Sequence, residues 1–343
     1  MRTIVDLGYG RESLYQLYKC NNMSSRLLYG LAQLEEQYDI HHVSLDSRGG
    51  IRSLLANNIR ALTRCDVLYV TYFFPLPLLL LALLRKLGFL RKRKIIVISH
   101  KTMPPATLLT RLVYDSLDMV FFHSQQNLRE SVDNRAVKPE KAAFLNWGDD
   151  INYLDAHAKT TQGDYFLSTG REQRDYRILI DAFSRTDAKL ALYTNKVNYD
   201  NNYEYLEKEK GKHKNIDITF VEKSVDTTQM LVLQAASCLC VVNPLLKEKV
   251  SYCVGLTSIV EAMALGKPII TSKNPYSPVD VEHEGIGFVA DDEESWVKAV
   301  EHLNTHRQEA IEMGRRARRL AEQRFNINAC AKQLNECIDH LFS

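Results

Sequence analysis

Short runs of apolar residues alternate with longer amphipathic stretches along the whole chain. The runs are rich in β-branched and aromatic residues and are bounded by polar or turn residues, which is typical of strands in a parallel sheet that is covered on both faces. In the first half of the chain, the predicted strands are residues 3–8, 41–45, 66–74, 94–100 and 119–123. Because helical patterns separate these strands, this half predicts a doubly wound α/β domain.

The alternation is interrupted once and then starts again. We interpret the polar residues 156–164 as a linker between a first domain, residues 1–155, and a second α/β domain, residues 165–325. The predicted strands of the second domain are residues 165–170, 189–195, 217–222, 238–243, 268–272 and 287–290. A long helical pattern near 293–323 follows, and a last helix, residues 326–343, is expected to pack back on the first domain.

Two Rossmann-like domains in succession predict a functional site in the cleft between them, because open α/β sheets bind ligands at the carboxyl ends of their strands. The length of 343 residues suits two domains of this kind. Apolar residues make up 45% and charged residues 25% of the chain, which excludes disordered, collagen-like and coiled-coil proteins.

Charge and cysteine usage narrow the class of partner. The formal net charge is +2, with basic residues in excess over residues 1–150 and acidic residues in excess over residues 151–343. This modest bias suits anionic small molecules or an anionic membrane surface, and no nucleic-acid partner is expected. Seven cysteines without metal-ligand spacing indicate neither disulfides nor a zinc site. The N-terminus begins directly in a strand-like run, and no apolar run is long enough to span a bilayer, which predicts a cytoplasmic protein.

The most informative segment runs from Gly255 to Pro268 and is followed by a predicted strand. A glycine and two hydroxyl residues precede an amphipathic helix, so the helix N-terminus would present backbone N–H groups and the positive end of its dipole to an anion. The same residues also fit a purely structural role, because Ser258 and Glu261 have the spacing of a capping box.

This segment resembles the donor-binding signature of the GT-B glycosyltransferases, in particular family 4 of retaining, nucleotide-sugar-dependent enzymes. The matching positions are Gly255, Glu261, Ala262, Met263, Ala264, Gly266, Pro268 and Ile270. The resemblance implies two Rossmann-like, doubly wound parallel-sheet domains that face a central cleft, with the nucleotide sugar held by the second domain. It implies donor contacts from the residues Gly255, Leu256, Thr257, Ser258 and Glu261, and from a loop near Val221 whose backbone groups read the base.

A second segment, residues 168–183, is similar to the pattern with which the family clamps the donor diphosphate. Gly170, Arg171 and Arg174 occupy its matching positions. A guanidinium suits this task because its planar fork donates two parallel hydrogen bonds to phosphate oxygens. Arg171 and Arg174 are therefore candidate catalytic as well as donor-binding residues, and the alternative is that both are merely solvated at a helix start.

The first domain contributes weaker matches. The turn Gly8-Tyr9-Gly10 corresponds to the family's glycine-rich turn that approaches donor and acceptor, although a single G-x-G is a weak signal. His100 lies at the carboxyl end of the predicted strand 94–100, where the family often has a histidine near the donor sugar, so His100 is a candidate catalytic residue. The alternative for a single histidine is a packing or capping role.

One departure from the family pattern concerns the donor sugar. The family has a glutamate eight positions before the one at Glu261, and Cys253 stands there instead. The resemblance therefore implies that a carboxylate, Glu261, contacts the ribose, and that Cys253 alters the contacts to the donor sugar. The base of the donor, UDP or GDP, stays open.

No metal and no cofactor are expected. The pairs Asp149-Asp150 and Asp291-Asp292 lack the D-x-D spacing, and enzymes of the GT-B type generally stabilise the leaving diphosphate without a metal ion. The N–H groups at the start of the helix and the two arginines would supply that stabilisation by electrostatic preorganisation.

Residues 75–94 combine an apolar stretch with a basic end, too short to span a bilayer but suited to its interface. The basic residues are Arg85, Lys86, Arg91, Lys92, Arg93 and Lys94. On this interpretation the protein is peripheral on the inner face of the cell membrane and takes a polyprenyl-linked acceptor. The alternative is a buried crossover helix with its basic end in solvent.

Taken with the resemblance, these features predict a glycosyltransferase of the hexosyltransferase class. It would move a sugar from a nucleoside diphosphate sugar to a saccharide or lipid-linked saccharide in surface polysaccharide biosynthesis, with retention and without a metal. Two alternatives stay open: a nucleotide-sugar epimerase of the GT-B fold, and a non-catalytic partner subunit of another glycosyltransferase, for which Cys253 is the argument.

Overall fold

The structure is a computed structural model that describes residues 1–44, 65–73, 75–90, 92–196 and 202–343. The chain divides into two compact units. Unit 1 contains residues 1–21, 25–147 and 327–343, and unit 2 contains residues 22–24 and 148–326. The terminal helix therefore belongs to unit 1, whereas the polar residues 156–164 lie inside unit 2.

Unit 2 begins at Gly148 because this residue pairs closely with the end of the unit. A Cβ atom on Gly148 would lie 1.8 Å from the carbonyl oxygen of Phe325, so only glycine fits there. Next to it, Asp149 forms a parallel bridge with Asn326. The entry and exit segments of unit 2 thus run side by side.

Unit 1 is built on a six-stranded parallel sheet with the order β2-β1-β3-β4-β5-β6. Its strands are β1 (Arg2–Gly8), β2 (Tyr38–Ser44), β3 (Val67–Val70), β4 (Lys94–Ser99), β5 (Met119–Phe122) and β6 (Ala142–Phe144). The helices among them are α1 (Arg11–Lys19), α2 (Pro75–Lys86), α3 (Leu108–Ser116) and α4 (Gln125–Asp133), with short 3-10 turns at Ser25–Leu28, Leu31–Leu34 and Pro139–Lys141.

Unit 2 repeats this architecture with the order β12-β11-β10-β7-β8-β9, again fully parallel. Its strands are β7 (Tyr165–Thr169), β8 (Lys189–Thr194), β9 (Ile216–Phe220), β10 (Cys240–Asn243), β11 (Ile269–Thr271) and β12 (Gly287–Val289). The helices are α5 (Ile151–His157), α6 (Tyr176–Ser184), α7 (Asn202–Glu209), α8 (Val225–Ser237), α9 (Leu256–Ala264), α10 (Glu293–Thr305) and α11 (Arg307–Gln323), and α12 (Ile327–Phe342) follows in unit 1.

The strands predicted from the apolar runs are present, so the α/β class with two parallel sheets is confirmed. Their bounds shift by a few residues, and Leu45 and Phe74, which two of the predictions include, lie outside the described residues. β6 was not predicted, because its three residues are only half-buried at the sheet edge and carry too short an apolar pattern. The helical pattern near 293–323 is two helices, because the backbone of His306 (φ −101°, ψ 63°) is not helical.

Each unit has its own core between sheet and helices. In unit 1 the core is centred on Val97 and Phe122, neither of which is exposed to solvent. In unit 2 it is centred on Phe166, Phe183 and Trp296, which are likewise fully buried. Helices on both faces of each sheet explain why the strands are apolar at consecutive positions.

The strand orders locate the crevice in each unit. In unit 1 the order reverses between β1 and β3, and in unit 2 it reverses between β7 and β10. Because the loops after two such strands leave in opposite directions, they open a crevice at the carboxyl edge of the sheet, where doubly wound sheets bind ligands.

Candidate functional site

The loops that follow β7 and β10 pair with each other at the switch point of unit 2. Arg174, after β7, forms an antiparallel bridge with Leu245, after β10. The N–H of Leu246 donates to the carbonyl oxygen of Gln173 at 3.0 Å. The two walls of the crevice are thereby joined through their backbones, so the side chains on them are held in a fixed relation.

Gly170 directly follows β7 at a position that strongly favours glycine. Its φ angle is +117°, and a Cβ atom there would lie 2.6 Å from Nη2 of Arg174. Its carbonyl oxygen accepts hydrogen bonds from the Tyr176 hydroxyl at 2.6 Å and from Thr194 Oγ1 at 3.0 Å. The peptide is therefore locked, and the Arg174 guanidinium lies against it.

The two candidate arginines differ in their surroundings. Arg174 is 4% exposed, its Nη1 donates to the carbonyl oxygen of Glu172 at 2.8 Å, and its Nη2 lies 3.5 Å from Oγ of Ser258. Arg171 is exposed at the mouth of the same loop. The side chain of Arg171 is exposed, whereas the guanidinium of Arg174 is buried and held beside the start of α9, so Arg174 is not merely solvated.

The start of α9 has no side-chain cap. Gly255 is the N-cap residue, with a φ angle of +83°, and no side chain accepts a hydrogen bond from the first turn at that position. The N–H of Leu256 donates to the carbonyl oxygen of Cys253, and that of Ser258 donates to Gly255, each at 3.1 Å. Ser258 is the third residue of the helix, so the capping-box alternative with Glu261 does not form. Thr257, between Leu256 and Ser258, is exposed and lies one helical turn before Glu261.

Asn243 is a residue of this site that the sequence analysis missed. It ends β10, is fully buried, and donates from Nδ2 to Thr271 Oγ1 at 3.1 Å. A Cβ atom on Gly255 would lie 2.4 Å from Nδ2 of Asn243, so the amide directly supports the turn that begins α9. The only signal in the sequence is a polar residue at the end of an otherwise apolar strand.

Cys253 is buried, and its burial raises the pKa of the thiol to about 12. The side chain is therefore uncharged at neutral pH and cannot replace the charged acceptor that a glutamate would offer to a sugar. Leu256 is also buried. Glu261 is half-buried on α9.

Val221 lies at the same edge of the sheet, after β9. Its N–H donates to the carbonyl oxygen of Thr194 at 2.8 Å, and the Thr194 hydroxyl in turn bonds Gly170. The ends of β7, β8 and β9 are thus connected in one row. Among the predicted residues of unit 2, the structure brings Gly170, Arg174, Gly255 and Ser258 into one group, with Val221 at the end of that row.

In unit 1, Gly8, Gly10 and His100 lie at the carboxyl edge of its sheet. A Cβ atom on Gly8 would lie 2.5 Å from Thr71 Oγ1, and Gly10, with a φ angle of +60°, is the N-cap residue of α1. Nε2 of His100 lies 3.1 Å from the carbonyl oxygen of Thr71. Thr71 therefore connects the glycine turn to the histidine, and no sequence motif pointed to it.

His100 belongs to a cluster of rings. Its ring centroid lies 5.2 Å from that of His123, 5.3 Å from that of Tyr72 and 5.9 Å from that of Tyr29. Burial lowers the pKa of His100, and burial together with the neighbouring His100 lowers the pKa of His123 well below its usual range. Both imidazoles are neutral at neutral pH. Since Nε2 of His100 faces the carbonyl of Thr71, we assign the proton to Nε2, which leaves Nδ1 as a hydrogen-bond acceptor.

The aspartate pairs serve helix starts and loops. Asp150 caps α5 by accepting from the N–H of Tyr153 at 3.1 Å, and Asp149 accepts from the Ser24 hydroxyl at 2.6 Å. Asp292 caps α10 in the same way. Within the described ranges, no group of three or more His, Cys, Asp or Glu side chains is arranged to hold a metal ion.

The apolar part of residues 75–94 forms α2, which packs on the sheet as a crossover helix. Its inward-facing side chains are buried, namely Leu78, Leu81 and Ala82. Arg85 is held by two hydrogen bonds to the Asp118 carboxylate, at 2.6 and 2.8 Å. No helix in the part of the chain that the structure describes is long and apolar enough to cross a membrane.

Two further basic residues of this segment are also engaged within unit 1. Arg93 donates to the carbonyl oxygen of Cys65. Nζ of Lys94 lies 5.7 Å from the ring centroid of Phe342. These contacts point both side chains toward protein groups rather than outward.

The short stretch after α2 is different. Leu87 is 71% and Phe89 is 75% exposed, and Lys86 and Lys92 are exposed beside them in sequence. We call these four residues the apolar–basic patch. Arg91, also predicted for this surface, lies outside the described residues. The interpretation as a buried crossover helix thus fits α2, and the interpretation as an interface segment is left with the exposed residues at and after its end.

Comparison with known proteins supplies the family context. Residues 152–320, just under half of the chain, match the family model described as "Glycosyl transferases group 1". No curated protein sequence matches the chain.

Three solved structures illustrate the fold. HepE from Anabaena, solved in complex with UDP-glucose, is 16% identical with a TM-score of 0.69 and covers 99% of this chain and 100% of its own. A glycosyltransferase from Rickettsia africae is 13% identical with a TM-score of 0.73, and the match covers 100% of this chain and 99% of the Rickettsia chain. WaaB, a lipopolysaccharide outer core galactosyltransferase, is 14% identical with a TM-score of 0.58, and the match covers 98% of this chain and 99% of the WaaB chain. The fold is the GT-B fold.

Proposed function

We propose that this glycosyltransferase moves a sugar from a nucleoside diphosphate sugar to a saccharide or lipid-linked saccharide of a surface polysaccharide. The observation that carries the proposal is the buried guanidinium of Arg174 beside the uncapped start of α9, at the switch point of unit 2. A group 1 glycosyl transferase domain covers this whole region. WaaB, which acts on lipopolysaccharide, and HepE, which binds UDP-glucose, support the substrate classes.

In this proposal unit 2 binds the donor. Arg174, from its fixed position, and Arg171, from the exposed loop, donate to the diphosphate, while the start of α9 adds its dipole and the N–H of Thr257. Glu261 accepts from the ribose hydroxyls, and backbone groups near Val221 read the base, UDP or GDP. Because Cys253 offers no charge, backbone groups of the turn at Gly255 take over contacts to the sugar.

The chemistry we propose is retaining transfer of the hexosyltransferase type without a metal ion. The acceptor hydroxyl attacks on the face from which the diphosphate leaves, through an oxocarbenium-like transition state, and a phosphate oxygen takes the proton. The negative charge that grows on the diphosphate meets donors that are already in place, and loss of one such donor costs about 10²- to 10³-fold in kcat. No cofactor takes part.

In unit 1 we assign His100 a contact to the substrate. Its neutral ring, held through Nε2 by Thr71, presents Nδ1 as an acceptor for a sugar hydroxyl. In the turn Gly8-Tyr9-Gly10, nothing lies within 4 Å of the position of a Cβ atom on Gly10, which leaves room for a substrate to approach the backbone.

The apolar–basic patch supports a lipid-linked acceptor and a place on the cytoplasmic face of a membrane. Leu87 and Phe89 would enter the interface while Lys86 and Lys92 meet anionic head groups, each at about 1 kcal/mol. Sedimentation with anionic phospholipid vesicles tests this. The double variant Leu87→Ser/Phe89→Ser should lose binding, whereas Leu233→Ser, a half-exposed leucine on α8, should not; equal binding by both contradicts the membrane part of the proposal.

Donor binding is tested by calorimetry and thermal shift with UDP, GDP, ADP and CDP, with and without EDTA. One diphosphate should stabilise the protein by mass action, unaffected by EDTA. Arg174→Lys keeps the charge but loses the fork, so its affinity should fall about 10- to 100-fold. Arg177→Lys, an exposed arginine on α6, is the matched control. Absence of any nucleotide response contradicts the proposal.

A second candidate function rests on Cys253. A buried, uncharged thiol at the place of the sugar-contacting glutamate fits a subunit that binds nucleotide but supports another glycosyltransferase. Slow hydrolysis of the donor without acceptor separates the two functions, because a transferase leaks some donor to water and a binding subunit does not.

A further inference from the structure

Unit 2 contains a cavity that no part of the proposed donor site uses. Its volume is about 590 Å³, and it lies at the carboxyl ends of β10, β11 and β12. This volume is in the range that small-molecule sites occupy. The residues that we assign to the diphosphate, Arg171, Arg174 and Thr257, do not line it, whereas Val254 and Ile259 do. The start of α9 therefore separates the cavity from the donor site.

The floor of the cavity is mainly apolar. Its buried residues are Leu245, Val254, Ile259, Val279 and Val281, with the hydroxyl residues Thr271 and Ser272 beside them. A floor of this kind offers a surface on which the C–H face of a sugar ring can pack.

The rim of the cavity carries three carboxylates that are oriented by the backbone. Asp291 accepts from the N–H of Lys273 at 3.0 Å. Asp280 accepts from the N–H of His283 at 3.1 Å, and Glu282 accepts from the N–H of Val289 at 3.0 Å. In each of these bonds one carboxylate oxygen accepts from a backbone N–H, so the carboxylate is held in place before a ligand arrives. Little side-chain entropy is therefore lost on binding.

The charge of the lining selects the chemistry of the ligand. Among the described residues that line the cavity, Lys273 is the single cation against Asp280, Glu282 and Asp291. A phosphate or nucleotide would be repelled by this excess of negative charge. A neutral, hydroxyl-rich ligand is favoured instead, because hydroxyl groups donate strong hydrogen bonds to carboxylates.

From the apolar floor and the oriented carboxylates, we propose that this cavity is a second carbohydrate subsite. It holds a neutral sugar unit of the acceptor or of the growing product, away from the reacting end. The inference rests on the proposed transfer to a saccharide acceptor. A second hold on the same chain raises the effective concentration of its reacting end and so favours long acceptors over short ones.

The test measures binding of a panel of neutral oligosaccharides, the gluco-, galacto- and mannotrioses, to the whole protein saturated with UDP. Calorimetry or ligand-observed NMR gives the affinity directly, so no activity is needed. At least one trisaccharide should bind, and the double variant Asp280→Asn/Glu282→Gln should weaken it about tenfold. Glu301→Gln, an exposed carboxylate on α10 that does not line the cavity, should leave the affinity unchanged.

Three outcomes overturn the inference. The first is that no trisaccharide in the panel binds, and the second is that the double variant and the wild type bind equally well. The third is that a UDP-sugar displaces the trisaccharide but UDP does not, which would assign the cavity to the sugar of the donor. UDP stabilisation of each variant is measured on the same samples. Its presence shows that the variant is folded, and a wild type that responds to none of UDP, GDP, ADP and CDP counts against the proposed function rather than against the cavity.

Discussion

At the scale of single residues, buried charges in unit 1 are held by specific partners. Oδ2 of Asp6 accepts from Nε of Arg11 at 2.7 Å and lies 2.6 Å from Nδ1 of His42. All three side chains are almost fully buried. Arg11 also donates to the carbonyl oxygen of Leu27, so this cluster fixes the first residue of α1 next to the glycine turn.

Replacing Asp6 should therefore destabilise the protein strongly. Asp6→Ala leaves the Arg11 guanidinium buried without its counter-ion, which costs about 3–5 kcal/mol of the free energy of unfolding. Chemical denaturation measures it. Asp39→Ala, which removes the partner of an exposed pair with His41, should cost less than about 1 kcal/mol. Similar losses for both variants would show that burial of the Asp6 cluster adds nothing.

A second residue-scale prediction concerns Gly170. Gly170→Ala places a Cβ atom in a left-handed backbone and against the Arg174 guanidinium. Gly211→Ala meets the same backbone strain at φ +81°, but nothing lies within 4 Å of its Cβ atom. Both variants should lose about 1–2 kcal/mol of stability, and only Gly170→Ala should lose nucleotide affinity in calorimetry. Loss of affinity in both would point to a general loss of structure.

At the scale of elements, α9 and α8 begin in different ways. α8 is capped by Ser224, whose hydroxyl oxygen accepts from the N–H of Thr227 at 3.0 Å. α9 begins at Gly255 without a side-chain cap, and Ser258 lies inside its first turn. The capping-box spacing of Ser258 and Glu261 therefore does not form a cap here. The free helix start agrees with the proposed anion site at α9.

Alanine variants separate these roles. Ser224→Ala should lower the free energy of unfolding by about 1 kcal/mol, because α8 loses its cap. Ser258→Ala should lower stability by less than Ser224→Ala does, because it removes only a 3.5 Å contact with Arg174 and no cap. Thermal unfolding with and without UDP measures both. If Ser258→Ala destabilised as much as Ser224→Ala and left UDP affinity unchanged, the capping role would be restored.

At the scale of the whole molecule, the pH dependence of stability sums over the groups whose pKa differs between folded and unfolded chain. Burial keeps the folded pKa of His100 and His123 below the unfolded value, so the unfolded chain binds more protons below that value. Stability from this source is fully present above about pH 6.5 and is lost as the pH falls below it.

Unfolding free energies measured between about pH 7.5 and pH 5.5 should therefore decrease toward acid, by up to about 1.4 kcal/mol per pH unit for each histidine. His123→Phe keeps a ring among Tyr29 and Trp147 but removes one titrating group, so its slope should be shallower. His283→Phe, an exposed histidine, should keep the wild-type slope. An unchanged slope in His123→Phe would contradict the assignment of the acid sensitivity to this ring cluster.

The sequence was sufficient to predict the succession of strands and helices, the two parallel sheets and the glycines at the critical turns. These follow from periodicity, burial on both faces and backbone conformation, which act over a few neighbouring residues. It did not reveal β6, whose pattern is too short, or the break at His306, which has no glycine or proline.

Which of these residues act together depends on the packing of elements that are distant in sequence. Arg171 and Arg174 are alike in sequence, but contact with Gly170 and Ser258 buries one of them and not the other. Asn243 and Thr71 gained their places from strands that are distant in sequence, and the carboxylates of the cavity rim come from two separate loops. The physical reason is that the free energy of such contacts depends on distances set by sheet order and packing, which no local pattern encodes.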